Sequence, residues 1–167
     1  MSLNTQTIHV LMVCLGNICR SPTAHAVLEK FIADRGLSQQ IKVDSAGTGD
    51  WHIGKPPDPR SREAALKRGY DLSAQRARQV DVDDFQRFHY ILAMDNNNLR
   101  DLGQRCPADF KHNLQLFLEF GSAEYDSVPD PYYSGPEGFE LVLDLVEEAN
   151  RNLLAHIIKQ HGLNADQ

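Results

Sequence analysis

The 167-residue chain has three cysteines, one tryptophan, no excess of basic charge and no long apolar run. Each shortage excludes something. Three cysteines, an odd and small number, cannot form a disulfide scaffold and fit a reducing, cytoplasmic compartment. No stretch approaches the roughly 20 apolar residues that span a bilayer, and the chain does not open on a charged-then-apolar leader, so a membrane is not an expected partner. The net charge of −6 argues equally against nucleic acid. Any site for an anion must therefore make its positive potential locally. There is no internal repeat, low-complexity tract or linker, and Met1 to Thr7 read as a polar, loose start.

What is there fits a globular chain. Apolar residues make up 41% and charged residues 24%, and the length suits one domain over residues 1–167 with a real core. Strand and helix patterns alternate. Ile8 to Val13 is a continuous apolar run, as in a strand buried on both faces of a parallel sheet. A helix follows, carrying Val27, Leu28, Phe31 and Ile32 on one face and stopping at Gly36. Ile41 to Val43, Tyr90 to Met94 and Asn113 to Phe117 read as further strands. Ser61 to Arg68 reads as a short helix closed by Gly69, and Asp95 to Leu102 as a capped helix. A long final helix places Phe139, Val142, Val146, Leu153 and Ile157 on one stripe. This rhythm predicts an α/β domain with a central four-stranded parallel sheet flanked by helices on both faces. Ligands of such sheets sit beyond the C-terminal strand ends.

The first strand ends on a segment with its own chemistry, Cys14-Leu-Gly-Asn-Ile-Cys-Arg-Ser-Pro22. A thiol at a strand end, followed by a tight loop into a helix, lies among unpartnered N–H groups and near a positive helix dipole, which favour a thiolate and a bound anion. Leu15, Gly16, Asn17, Ile18, Cys19, Arg20 and Ser21 then form the expected phosphate-binding stretch. Gly16 offers unusual backbone angles, Asn17 can adopt a left-handed conformation, and Arg20 offers a planar fork suited to two phosphate oxygens. Ser21 either caps the helix ahead of Pro22, donates to the Cys14 sulfur, or does both at different moments. Zinc fails on ligand count and a nucleotide loop on the missing Gly-Lys-[Ser/Thr], so no metal or cofactor is expected. The seven histidines are scattered and read by default as core or surface. Transfer of a phosphoryl group to sulfur also needs a proton donor for the leaving group. Asp130, stiffened by a proline on each side in Val-Pro-Asp130-Pro-Tyr-Tyr133, is the candidate.

Together, Cys14-x5-Arg20-Ser21 and the distant Asp130-Pro-Tyr-Tyr133 resemble the low-molecular-weight protein tyrosine phosphatase family. The likeness extends to Asp44-Ser-Ala-Gly-Thr48, Pro56-Pro-Asp-Pro59, Ala77-Arg-Gln79 and Ala93-Met-Asp95. It implies hydrolysis of phosphotyrosine in a protein, or of a small aryl phosphate, through a phosphocysteine intermediate. Cys14 would be the nucleophile, Arg20 the clamp and Asp130 the acid and then the base; phosphate and vanadate would inhibit. The resemblance further implies that Asn17 and Ser45 brace the loop, that Ser21 tunes the thiolate, and that Trp51, Tyr132 and Tyr133 form the substrate rim. It also makes Cys19 a redox partner that traps oxidised Cys14 as a disulfide. One departure is Gln75, where many relatives carry a histidine; glutamine keeps the hydrogen bonds but cannot ionise. Arsenate reductases share the Cys-x5-Arg loop but relay electrons through later cysteines, and only Cys106 is present here. A phosphocarrier module needs no placed acid, so Asp130 is the discriminator.

Overall fold

The computed structural model describes residues 6–122 and 124–165. Most of the polar start, residues 1–5, therefore lies outside the described residues. The strands are β1 (Ile8–Cys14), β2 (Ile41–Gly47), β3 (Tyr90–Ala93) and β4 (Leu114–Leu116). The helices are α1 (Arg20–Asp34), α2 (Pro59–Leu66), α3 (Asp84–Arg87), α4 (Asn96–Arg105) and α5 (Pro136–His161), with two short 3₁₀ turns around β4. The four strands form one parallel sheet in the order β2-β1-β3-β4. The sheet and its flanking helices are the architecture expected from the alternating pattern.

The apolar run of β1 follows from its central place. Val10, Met12 and Cys14 point into a core shared with α1 and α5, whereas Leu11 and Val13 point into a second core with Phe85 of α3 and Leu102 of α4. Alternate residues thus serve opposite faces, and both faces must be apolar. The α5 stripe is buried as its spacing requires, with Phe139, Val142, Val146, Leu153 and Ile157 all in the first core. Truncating a fully buried member such as Leu92 to alanine should cost about 2–5 kcal/mol.

Several boundaries differ from the sequence reading. β2 runs on to Gly47 because its whole length pairs with β1, from Ile8↔Ile41 to Cys14↔Gly47. α2 begins earlier, at Pro59, because the Asp58 carboxylate accepts from Arg60 N–H (2.8 Å) and caps it. α3 is a single turn, too short to leave a periodic trace. α1 starts at Arg20 on a Cys19 cap with no side-chain hydrogen bond, so Ser21 is inside the helix and is not its cap.

This topology places Cys14 at the C-terminal end of β1, with β2 on one side and β3 on the other. The chain's connections reverse direction there, which opens a crevice beyond the strand ends. Among the described residues, no helix is long and apolar enough to cross a membrane.

Candidate active site

The loop from Leu15 to Cys19 closes around the Cys14 sulfur. Asn17 N–H donates to Cys14 Sγ (3.3 Å), and the Ser21 hydroxyl lies 3.0 Å from the same atom. Asn17 Nδ2 donates to Ser21 Oγ (2.9 Å), which leaves the single hydroxyl proton free to point at sulfur; Ala46 O, at 3.5 Å, is the weaker alternative. Ser21 is fully buried and Cys14 nearly so. The physical reason that Ser21 does not cap α1 is therefore that its oxygen is committed to Asn17 and Cys14.

Asn17, with φ of 57°, supplies the left-handed turn, and Arg78 N–H holds its Oδ1 at 3.0 Å. Gly16 does not adopt a positive φ, so the unusual backbone belongs to Asn17 alone. What Gly16 provides is room, since a Cβ there would stand 2.9 Å from His52 Cδ2. Gly47 on β2 is more constrained. A Cβ on it would come within 2.7 Å of the Leu15 carbonyl, so the strand can support the loop only as glycine.

Arg20 is buried, and one side of its guanidinium is held by protein partners. Nη1 donates to Asp95 Oδ2 (2.6 Å) and to the Val128 carbonyl (3.1 Å), while Nη2 lies 3.8 Å from Asp130 Oδ2. Burial pulls its pKa down, but Cys14 and the Asp95 hydrogen bond outweigh that and raise it. Asp95 divides its oxygens: Oδ1 caps α4 at Asn98 N–H (2.8 Å) and Oδ2 holds Arg20. The capping role is legible from the sequence, whereas the hold on Arg20 is not. Asp130 is half-exposed on its turn, with Oδ1 accepting from Tyr132 N–H (3.0 Å).

Cys14, Arg20 and Asp130 share one cleft of about 360 Å³, which the loop lines with Leu15, Gly16, Ile18 and Cys19 but not Asn17, and which Trp51, His52, Tyr132 and Tyr133 complete. Trp51 is 68% exposed, far from the core position usual for a lone tryptophan, and Tyr133 is 96% exposed. Cys19 lines the same cleft as a free thiol. Burial pushes it up to about 12, with a Ser61 hydrogen bond opposing and the charges of Asp58, Cys14 and Asp130 adding.

A family model described as low molecular weight phosphotyrosine protein phosphatase matches residues 9–163. The chain belongs to this family. It is similar to the low molecular weight protein-tyrosine-phosphatase YfkJ of Bacillus subtilis, with 43% identity over 159 residues, which is 93% of this chain and 99% of that protein. Among solved structures it resembles a protein tyrosine phosphatase of Entamoeba histolytica with Hepes in the active site, at TM-score 0.89 and 40% identity, covering 94% and 100% of the two chains. It also resembles Vibrio vulnificus Wzb in complex with benzylphosphonate, at TM-score 0.77 and 29% identity, covering 89% and 97% of the two chains. The chain is thus a protein-tyrosine-phosphatase.

Within this phosphatase, the Ser45 hydroxyl bonds to Gln75 and His25 and so acts on α1 rather than on the loop itself. Its hydroxyl donates to Gln75 Oε1 (3.2 Å), and Gln75 Nε2 in turn donates to the Pro22 carbonyl (2.9 Å), so the support reaches the first turn of α1. His25 completes this network, with Nδ1 3.2 Å from Ser45 Oγ and Nε2 3.2 Å from Glu29. The sequence reading gave His25 no role. Its position, five residues after Arg20 on the helix the loop feeds, was the signal available. His52, beside Gly16 on the cleft wall, left no signal at all. Among the described residues, no group of three or more His, Cys, Asp or Glu could hold a metal ion.

Proposed function

We propose that the enzyme hydrolyses phosphotyrosine in proteins, and other aryl phosphate monoesters, through a phosphocysteine intermediate. The observation that carries this reading is the meeting of three groups in one cleft: Cys14 under two donors, the buried Arg20, and Asp130 beside it. The Cys14 thiolate attacks phosphorus as the bond to the aryl oxygen breaks. Protonated Asp130 gives its proton to the departing phenoxide. Loop N–H groups and the edge of Arg20 not held by Asp95 take the equatorial oxygens, whose charge they match best in the transition state. Water then attacks the phosphocysteine, Asp130 takes the water's proton, and the thiolate leaves with phosphate released. Phosphate and vanadate, as tetrahedral or trigonal oxyanions, compete for the same nest. Trp51 and Tyr132 stack on the substrate ring, and the wet rim favours a phosphorylated side chain presented on a protein.

Asp130→Ala tests the assignment. It should cost on the order of 10²–10⁴-fold in kcat/KM on phenyl phosphate, but far less on p-nitrophenyl phosphate, whose leaving group needs little protonation. Phosphocysteine should then be trapped and seen by mass spectrometry. Equal losses on both substrates and no trapped intermediate remove Asp130 from the mechanism. Activity that depends on added Mg²⁺ or Zn²⁺ removes the mechanism altogether.

Cys19 fits a protective role in a cytoplasmic setting. It shares the cleft with Cys14, yet its neutral thiol at neutral pH makes it a slow nucleophile until the loop opens. Peroxide oxidises Cys14 to a sulfenic acid, and the Cys19 sulfur then displaces water to form the disulfide. Dithiothreitol should restore activity in the parent protein and restore much less in Cys19→Ser. Equal recovery in the two proteins rules the role out.

A further inference from the structure

Asp130 stands on a turn whose hydrogen bonds are mostly its own. Tyr132 N–H donates to Asp130 Oδ1 (3.0 Å), and Ser134 N–H and Oγ both donate to the Pro131 carbonyl (2.9 and 2.8 Å). Such a turn is internally stiff, but its position against the protein must come from side-chain seats. One seat is Pro131, which is buried and lies against Gly138 of α5, its Cβ 3.6 Å from where a Cβ on that glycine would be. The other is Arg60 on α2, whose guanidinium lies 5.3 Å from the centre of the Tyr132 ring.

Arg60 is itself fixed. Its Nε and Nη2 donate to the two oxygens of Asp58 (3.1 and 2.9 Å), and the guanidinium also lies 4.9 Å from the Phe139 ring. The Arg60 hydrogen bonds hold the Asp58 carboxyl below the usual carboxylate range. Asp58 N–H donates to the carbonyl of Ile18 in the anion loop (2.8 Å). A continuous run of contacts thus leads from Ile18 through Asp58, Arg60 and Tyr132 to the turn bearing Asp130. The Arg60 side chain is 47% exposed, so the ion pair adds little to global stability. A planar, bidentate, ring-stacking cation does supply fixed geometry. Arg60 is not among the residues lining the cleft around Cys14, so direct binding of the phosphate is not its role.

We propose that Arg60 is a positioning residue that sets where Asp130 stands relative to Cys14, by seating Tyr132 from a base anchored to the anion loop. This rests on Asp130 being the general acid, and the two ideas separate experimentally. Arg60→Ala should lower kcat/KM for phenyl phosphate about three- to tenfold, the scale of one lost stacking and orienting contact. For p-nitrophenyl phosphate the loss should be less than about twofold, and inhibition by inorganic phosphate should be unchanged. In an Asp130→Ala background the selective loss should vanish, because no acid remains to be misplaced. Arg60→Lys keeps the charge and the Asp58 cap but not the fork, and should show the same selectivity in smaller measure; it covers the case in which the alanine variant folds poorly. A loss of equal size on both substrates, or a selective loss that persists without Asp130, overturns the proposal. Asp130→Ala alone, read on the same two substrates, reports on the acid independently of Arg60.

Discussion

The two ends of β1 are built from different physics. At the C-terminal end, Asn17, Arg20 and Ser21 are buried polar groups held by directional hydrogen bonds at defined distances. At the N-terminal end, His9, His89, Tyr90, His156 and His161 meet mainly through ring contacts, with centroids 6.0 Å apart in the His9–His89, Tyr90–His156 and Tyr90–His161 pairs. A buried charge needs fixed partners, because desolvation is costly and only good geometry offsets it. Rings that are partly buried, as His9, His89 and Tyr90 are, or exposed, as His156 and His161 are, need only packing. A substitution at the first end that nearly keeps volume and charge should change chemistry with little unfolding, and substitution at the second should change stability with little effect on chemistry.

The sharpest way to break this contrast is at Cys14 and Arg20. Cys14→Ser should reduce turnover to background while the melting temperature stays within a few degrees of the parent, since the volume is nearly conserved. Phosphate should still bind, because the loop N–H groups and Arg20 remain. Arg20→Lys should lose roughly 10²–10³-fold in kcat/KM, as a point charge cannot reproduce the fork that Asp95 holds and that the proposed mechanism turns to a phosphoryl group. A large drop in stability with modest loss of activity for either variant would reverse the proposed division between the two ends.

Gly47→Ala probes the support behind the loop. The added Cβ would stand 2.7 Å from the Leu15 carbonyl and 3.2 Å from the Gly16 carbonyl carbon, both backbone atoms that can move only by shifting the loop. Displacements of this kind cost up to about 10²-fold in rate, so a loss of about 10- to 100-fold is expected, with phosphate affinity falling in parallel. Unchanged phosphate affinity would show that β2 does not set the loop.

These cases show what the chain discloses by itself. The strand–loop–helix unit from Ile8 to Ser21 is legible because its parts are contiguous and each residue type has a local reason to be there. Asp130 is legible through its flanking prolines. Gly47 lies in the Asp44–Thr48 stretch that shares in the family likeness, but its need to be glycine arises only from the Cys14↔Gly47 register with β1, which no local pattern encodes. Asp95 reads as a helix cap because that role is local, while its bond to Arg20 spans 75 residues. Of the two roles open to Ser21 in the sequence, the cap suggested by Ser-Pro is local and is not taken, because the hydroxyl is committed to the sulfur and Asn17. The single-turn helix α3 and the roles of His25 and His52 depend on tertiary contacts alone.

The smallest expected effect lies at the N-terminal end of the sheet, in acid. Burial lowers the His89 pKa from its ordinary 6.5, and the nearby His9 and His161 lower it further; burial and His156 likewise lower that of His161. The His9 N–H also donates to His89 Nδ1 (2.9 Å), which requires that nitrogen to be unprotonated. Both histidines are thus easier to protonate in the unfolded chain than in the fold. Above the unfolded value neither state binds the protons and stability is complete. As pH falls below about 6.5 the unfolded state gains protons first, and stability declines until the depressed folded values are passed. Because both rings are partly solvated, the loss is about 1 kcal/mol or less, a shift of a few degrees in melting temperature between about pH 7.5 and about pH 5.5. The double variant His89→Gln/His161→Gln should flatten that dependence without moving the pH profile of kcat/KM. If the acid slope persists in the variant, the carboxylates elsewhere carry it; if the kinetic profile moves, the two ends of β1 are coupled.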